Sequence, residues 1–226
     1  MKTMVGLMAG AAMLMTASAA NAAVYDFRGT PAVDNLPQYN FNLGGGVTGT
    51  VTSGAEQYFL GCFGFCGSWS SVSSAVTQNE NGLGVNAWNW DLDFDGTNAS
   101  SVHREWLRFD FSEAVTLHSI AFDEILDGLI GGGGGGYASD WTINVDGQSN
   151  PFAVDSTDNP FYFGDIKATW FEVVADHDLF LDWDSWRVAE LDATVPLPAA
   201  VWFMLTALGG LAGTRWLKKG AKAAAA

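Results

Sequence analysis

The stretch that decides the fold of this chain reads EWLRFDF and occupies residues 105–111. Its apolar side chains Leu107, Phe109 and Phe111 occupy every second position. Successive side chains of a β-strand point to opposite faces, so this alternation predicts a strand with one face on a core. The opposite face of the predicted strand carries Trp106, Arg108 and Asp110.

A second strand, VTLHSIAF at residues 115–122, follows at once. Ser112 and Glu113 predict a tight connection between the two strands. Within the second strand the apolar positions change parity between Leu117 and Ile120. A β-bulge would explain this change, and so would a strand that is buried on both faces.

The rest of the central region also has the sequence pattern of β-strands. Short runs of β-branched and aromatic residues are broken by Gly, Asn, Asp and Ser, and helical periodicity is almost missing. There is no internal repeat, which argues against a propeller or a solenoid. We therefore predict an all-β fold, a single β-sandwich of jelly-roll type. The predicted strands are 24–28, 47–52, 69–76, 106–111, 115–122, 141–145, 170–174 and 186–191.

The two ends of the chain predict export. Residues 1–22 combine Lys2, an apolar run at 4–15 and a small-x-small site that ends at Ala22, the pattern of a cleaved signal peptide. Residues 195–226 hold an apolar stretch that approaches the ~20 residues of a transmembrane helix. Basic residues follow that stretch and favour a cytoplasmic end. The domain between the two ends is predicted to occupy residues 23–194.

The C-terminal segment opens with a proline motif, ahead of the apolar stretch and the basic end. Its residues are Val195, Pro196, Leu197, Pro198 and Ala199. In motif and order this segment resembles the VPLPA variant of the PEP-CTERM class of bacterial sorting signals. The resemblance implies an inner-membrane-anchored precursor that an exosortase recognises and cleaves near the motif. The product would reside in the cell envelope or the extracellular matrix.

A second resemblance covers residues 82–145. There GLGV, an Asp-rich loop and the two strands described above follow one another. This order is similar to β-sandwich cargo domains found ahead of such sorting tails, which are themselves similar to galactose-binding-like jelly rolls. The resemblance implies a fold with calcium or glycan binding, and no particular reaction.

The central domain is strongly acidic. All 25 Asp and Glu residues lie within residues 23–194, whereas five of the ten Lys and Arg residues lie in the two ends. The domain therefore carries five cationic against 25 anionic side chains, a formal charge of −20. Such a field repels nucleic acid and anionic membrane surfaces and attracts cations. We expect no nucleic-acid partner.

The clearest metal-binding pattern is DLDFDG at residues 91–96. Asp91, Asp93 and Asp95 alternate before a glycine, as in the first half of an EF-hand calcium loop. The twelfth position is Val102, so Glu105 would have to complete the ligand set. The alternative is a solvated strand edge.

Three tryptophans are predicted glycan contacts because an indole face can stack on a sugar ring. Trp88 and Trp90 lead directly into the acidic loop, and Trp183 lies in a second acidic cluster. The alternative role for Trp is to fill the interior of the sandwich.

The two cysteines, Cys62 and Cys66, predict a local disulfide in an exported protein. No catalytic constellation stands out around the three histidines, and no serine occupies a nucleophile-elbow motif. We therefore expect a structural or adhesive role without enzymatic activity. A calcium-dependent carbohydrate-binding module for exopolysaccharide is the alternative, and a hydrolase that uses paired carboxylates comes third.

Overall fold

The computed structural model describes residues 21–61, 66–87, 97–100, 103–129, 141–155, 157–175, 182–196, 203–204 and 206–209. The chain divides into two compact units, Ala22–Val195 and a unit formed by Met1–Asn21 with Pro196–Ala226. In the second unit the described residues 203–204 and 206–209 are helical. No helix among the described residues is both long enough and apolar enough to cross a bilayer. The predicted signal peptide lies almost wholly outside the described residues.

The first unit is built from strands, and the predicted all-β class is confirmed. Every strand pairing with a described register is antiparallel, and the pairings join the strands into one large sheet. The described strands are β1 (Asn21–Asp26), β2 (Val33–Leu36), β3 (Tyr39–Gly44), β4 (Val47–Gly61), β5 (Cys66–Val72), β6 (Ser74–Asn79), β7 (Gly82–Ala87), β8 (Thr97–Ser100), β9 (His103–Leu129), β10 (Trp141–Val145), β11 (Phe152–Val154), β12 (Phe161–Ala175) and β13 (Asp182–Val195).

The longest path through the sheet runs β11-β10-β12-β9-β8-β13-β7-β6-β2. Two branches leave this path. β4 pairs with β9 and carries β3 and β5 on its other edge, and β1 pairs with β13. β9 also pairs directly with β13, and each of these two strands has four pairing partners among the described strands.

β9 changes one of its neighbours half-way along its length. Its first half lies between β4 and β12. Its second half pairs with β13 as far as Leu129, and with β12 on the other edge as far as Ile120. The change occurs near Ser112 and Glu113, where the sequence predicts a tight connection. The strand instead continues through them. Three more residues separate Asp110 from Val115 on β9 than separate their partners Trp170 and Ala168 on β12, so a bulge replaces the turn.

A second bulge explains the change of parity in β9. Leu117 pairs with Ala193 and Ser119 with Asp192, so His118 is an extra residue relative to β13. Leu117 and Ile120 are both buried, whereas His118 and Ser119 between them are half-buried. Of the two explanations for the parity change, the bulge is the one that the structure confirms.

The inward side chains come together across strands that are not hydrogen-bonded neighbours. Trp141 on β10 and Trp186 on β13 are fully buried with ring centroids 6.2 Å apart, although β12 and β9 lie between their strands. In a flat sheet those strands would lie about 14 Å apart, at ~4.8 Å per step. The sheet is therefore strongly curved. Phe27, just after β1, and Phe41 on β3 meet in the same way at 5.2 Å.

Candidate functional site

A depression of about 360 Å³ lies on the side of the sheet opposite the core, over strands β4, β9, β12 and β10. The strand register explains its position. Gly54, Trp106, Val174 and Thr142 lie opposite one another in a single row across the four strands. The polar side chains that complete the lining are Glu56, Arg104, Asn144 and Glu172.

Strand alternation places these side chains outward. On β9 Glu105, Leu107 and Phe109 are buried, so Arg104 and Trp106 face away from the core. The predicted division of the 105–111 strand into two faces is thereby confirmed. Glu105 belongs to the inward face, although it is charged.

Trp106 and Val174 form the apolar part of the depression, and both are half-buried. The indole ring of Trp106 packs against Gly54 on β4, so closely that a Cβ at residue 54 would overlap the ring. Because residue 54 is a glycine, the Trp106 ring can pack directly against β4.

Arg104 is held in place by two contacts. Its Nη2 donates to Glu56 Oε2 at 2.6 Å and its Nε donates to the same oxygen at 3.0 Å. The guanidinium carbon lies 4.9 Å from the ring centroid of Trp69 on β5, a cation–π contact. The charges of Glu56 and Arg104 thus compensate each other within the depression.

Arg108 lies four residues after Arg104 on the same face of β9, and it also contacts both a carboxylate and an aromatic ring. It donates to both carboxylate oxygens of Asp110 at 3.1–3.2 Å, and its guanidinium carbon lies 4.2 Å from the Trp170 ring centroid. Nearby, hydrogen bonds from the hydroxyl and the backbone N–H of Thr169 lower the pKa of Asp146.

Glu172 differs from these carboxylates. It lies opposite Arg108 in the register, but Arg108 turns to Asp110. The polar contact of Glu172 within the described residues is the amide of Asn144, whose Nδ2 donates to Oε1 at 3.2 Å. No described Lys, Arg or His lies within ion-pair distance of Glu172.

The arrangement can hold a ligand with one flat apolar face and polar edges. The indole of Trp106 offers a stacking surface, and carboxylate, guanidinium, amide and hydroxyl groups surround it. Because Arg104 and Glu56 are already paired, little side-chain ordering would accompany binding.

A second polar cluster lies on the other half of β9. His118 Nδ1 contacts Asp165 Oδ1 at 2.5 Å, and its Nε2 hydrogen-bonds the hydroxyl of Thr194. Carboxylate, imidazole and hydroxyl also follow in this order in hydrolase triads. Here the three side chains tie together β12, the bulge of β9 and the end of β13, and none of them lines the depression.

Most of the predicted site residues lie outside the described residues. This holds for the predicted calcium ligands Asp91, Asp93 and Asp95, the predicted glycan contacts Trp88 and Trp90, the cysteine Cys62, and the motif residues Leu197, Pro198 and Ala199. Cys66 begins β5 and Trp183 lies near the start of β13, where the structure describes the backbone alone. The disulfide and these glycan contacts stay predictions.

Glu105, the fourth predicted calcium ligand, is 1% exposed on the inward face of β9. No group of three or more His, Cys, Asp or Glu in the described part of the chain is arranged to hold a metal ion. Calcium binding at the 91–96 loop stays a prediction. At the end of the domain, Val195 is buried as the last residue of β13, and Pro196 after it is exposed.

The side chains around Trp106 are the ones that sequence reasoning missed. The alternation on β9 shows that Trp106 faces outward, but Glu56, Asn144 and Glu172 come from strands far away in the chain. Comparisons with protein-family models, with curated proteins and with solved structures found no match.

Proposed function

We propose that this chain is an exported protein that binds carbohydrate on the outer face of its sheet and has a structural or adhesive role in the cell envelope or extracellular matrix. The observation that carries the proposal is the depression around Trp106, with its indole against Gly54 and its rim of polar side chains.

A pyranose ring suits such a site for physical reasons. Its axial C–H groups form an apolar face that packs on an indole, and its hydroxyls at the edge both donate and accept hydrogen bonds. Glu56 and Glu172 accept, Arg104 donates, and Asn144 and Thr142 do both. Hydrogen bonds to charged groups are stronger than those between neutral groups, which favours a polyol over an apolar ligand.

The proposed architecture is a single β-sandwich of jelly-roll type. The contacts between Trp141 and Trp186 and between Phe27 and Phe41 support two layers, since each pair joins strands that are distant along the sheet. The proposed route of export follows the sequence: a signal peptide at 1–22 and a VPLPA-type sorting signal at 195–226 that an exosortase cleaves. Exopolysaccharide is then the natural partner, and calcium at Asp91, Asp93 and Asp95 remains part of the proposal.

Binding without turnover is the expected result on a glycan array. The full chain, purified in detergent, should bind a defined set of glycans, and Trp106→Ala should weaken that binding about tenfold or more, equivalent to ~1.4 kcal/mol. Tyr162→Ala is the matched control, because this aromatic residue is 72% exposed and lies outside the depression.

The array should be run with calcium and with chelator, and the bound glycans should be assayed for new reducing ends. Release of reducing ends would favour the hydrolase alternative. Loss of binding in chelator would support the calcium-dependent form. A wild-type protein that binds no glycan in either buffer would contradict the proposal, as would full binding by Trp106→Ala.

A further inference from the structure

We propose that the glycan bound at this site contains hexosamine units with a free, protonated amino group, and that Glu172 recognises the ammonium. The inference rests on the proposed function and goes on to name the chemistry of the ligand. It follows from the charges in the depression, from the position of Glu172 relative to Trp106, and from the field of the whole domain.

The charges in the depression do not balance. Two carboxylates and one guanidinium line it, and the guanidinium of Arg104 is held by Glu56 at 2.6 Å. Arg108, the cation closest in register to Glu172, is occupied by Asp110 and Trp170. Glu172 is therefore a carboxylate to which the described part of the protein supplies an amide donor and no cation within ion-pair distance.

The position of Glu172 suits an amino substituent on a ring that stacks on Trp106. Trp106 lies opposite Val174, so Glu172 is its diagonal neighbour on the adjacent strand. Diagonal neighbours on one face are about 7–8 Å apart. A sugar ring on the indole and an amino group on the edge of that ring span this gap, and the ammonium donates to the carboxylate.

The field of the domain points to the same class of ligand. With 25 acidic and five basic side chains in residues 23–194, it repels uronic acids and sulfated sugars and concentrates cationic ones. N-acetylation removes the positive charge of a hexosamine. Neutral and N-acetylated sugars would keep the stacking and lose the ion pair.

The test compares four probes of equal length with the full chain: glucosamine oligomers, their N-acetylated forms, neutral glucose oligomers and uronate oligomers. Isothermal titration should give an affinity for the glucosamine oligomer at least tenfold above that for its N-acetylated form. This preference should shrink with added salt, because an ion pair at the surface is screened. The uronate oligomer should bind weakest.

Glu172→Gln should abolish the preference for the free amine, because the affinity for the glucosamine oligomer should fall at least tenfold and that for the N-acetylated probe much less. Glu113→Gln is the matched control, since it also removes one negative charge from an exposed position on β9 outside the depression. Melting curves and circular dichroism establish that both variants are folded. Should Glu172→Gln not fold, graded N-acetylation of the probe on wild-type protein tests the same charge dependence.

Equal affinity for the free amine and the N-acetylated form would overturn this inference and leave the proposed function standing. A preference for the amine that survives Glu172→Gln in a folded protein would also overturn it. Failure of wild type to bind any of the four probes would overturn the inference. Failure to bind any glycan on the array as well would overturn the proposed function too.

Discussion

At the scale of single residues, Gly54 decides where the Trp106 ring can lie. A Cβ at this position would overlap the indole, and the ring rather than the backbone is the group that can move. Gly54→Ala should therefore displace Trp106 and weaken glycan binding several-fold, with little change in the melting temperature, because alanine suits a strand at least as well as glycine does. Titration and melting of the variant measure the two effects separately.

Thr52→Ala is the control for this substitution, since Thr52 lies two residues earlier on the same face of β4. It should leave both quantities unchanged. Undiminished binding by Gly54→Ala would show that the position of the indole does not matter.

Tyr25 links stability to alkaline pH. Two causes raise the pKa of Tyr25 from 10.0 to about 12. Burial is the larger cause, and a hydrogen bond with the Tyr39 hydroxyl at 3.4 Å is the second. The pKa is raised because the folded state favours the protonated phenol more than the unfolded chain does. The resulting stability is fully present below pH 10 and is lost as the pH rises through about 12.

The stability that wild type holds over Tyr25→Phe should therefore shrink between pH 10 and pH 12. Chemical denaturation at a series of pH values measures it. Tyr162→Phe, which alters an exposed ring, should run parallel to wild type across this range. Parallel curves for wild type and Tyr25→Phe would refute the link.

The residue scale also shows what the sequence could predict about the site. Alternation along residues 105–111 correctly separated Trp106 and Arg108 from the buried Leu107 and Phe109. It could not show that Glu56 or Glu172 would stand beside Trp106, because register between distant strands is set by packing and not by local pattern.

At the scale of the elements, β9 is one long strand where the sequence predicts two. Ser112 and Glu113 are locally typical of a turn, and the sequence predicts two strands that meet there. The strand continues because its neighbours change at this point, with β13 taking over from β4 along one edge while β12 continues along the other. Tertiary hydrogen bonds thus override a local signal.

Five described strands escaped prediction: β2, β3, β7, β8 and β11. They are short, with three to six residues, and β7 reads GLGVNA. A run that holds two glycines and an asparagine has little intrinsic strand propensity. Its residues are nevertheless mostly buried, so packing between β6 and β13 stabilises this strand.

Gly82 at the start of β7 should be the least replaceable of these residues. Its φ is +130°, and a Cβ there would overlap the backbone carbonyl of Val188 on β13. Unlike a side chain, that carbonyl cannot rotate away. Gly82→Ala should therefore destabilise the domain by about 2 kcal/mol or more, a fall in Tm of roughly 4–8 °C.

Gly147→Ala provides the comparison for Gly82→Ala. Gly147 also has a positive φ, +75°, but nothing lies within 4 Å of its Cβ position. Gly82→Ala should lower Tm more than Gly147→Ala, because it adds the overlap with Val188 to a φ that is further from the left-handed region. Equal losses of Tm would contradict this steric account.

At the scale of the whole molecule, the composition predicted the all-β class but not the order in which the strands pair. Aromatic and β-branched runs broken by glycine indicated an all-β chain, and the described strands form one large antiparallel sheet. The order of strands in the sheet depends on pairings such as β1 with β13, which join opposite ends of the domain. No local pattern encodes such a pairing.

The proposed sorting signal is testable in the producing cell. Replacing Pro196 and Pro198 together with alanine should leave an uncleaved precursor in the inner membrane, because the motif that the exosortase reads is lost. Mass spectrometry of both termini, with cell fractionation, measures the outcome. Release of a normally shortened product from the double variant would contradict the proposal.

The double substitution should leave the folded domain intact, because β13 ends at Val195 and Pro196 is exposed. Val195→Asp is the informative contrast. It would place a charge in the core and lower stability as well as alter the motif. A loss of sorting without a loss of stability is therefore expected of the proline variant alone.

The pairing of β1 with β13 also sets the earliest time during synthesis at which the domain can complete its fold. Arg28 Nη1 contacts Glu190 Oε1 at 2.6 Å, a partner that lies 162 residues later. At about 5–20 residues per second, a ribosome makes that partner roughly 8–32 s after it makes Arg28. Throughout this delay Phe27 lacks its backbone partner on β13, since its N–H donates to the carbonyl of Ala189 at 2.8 Å. The sheet therefore cannot be completed until β13, the last strand of the domain, has been synthesised.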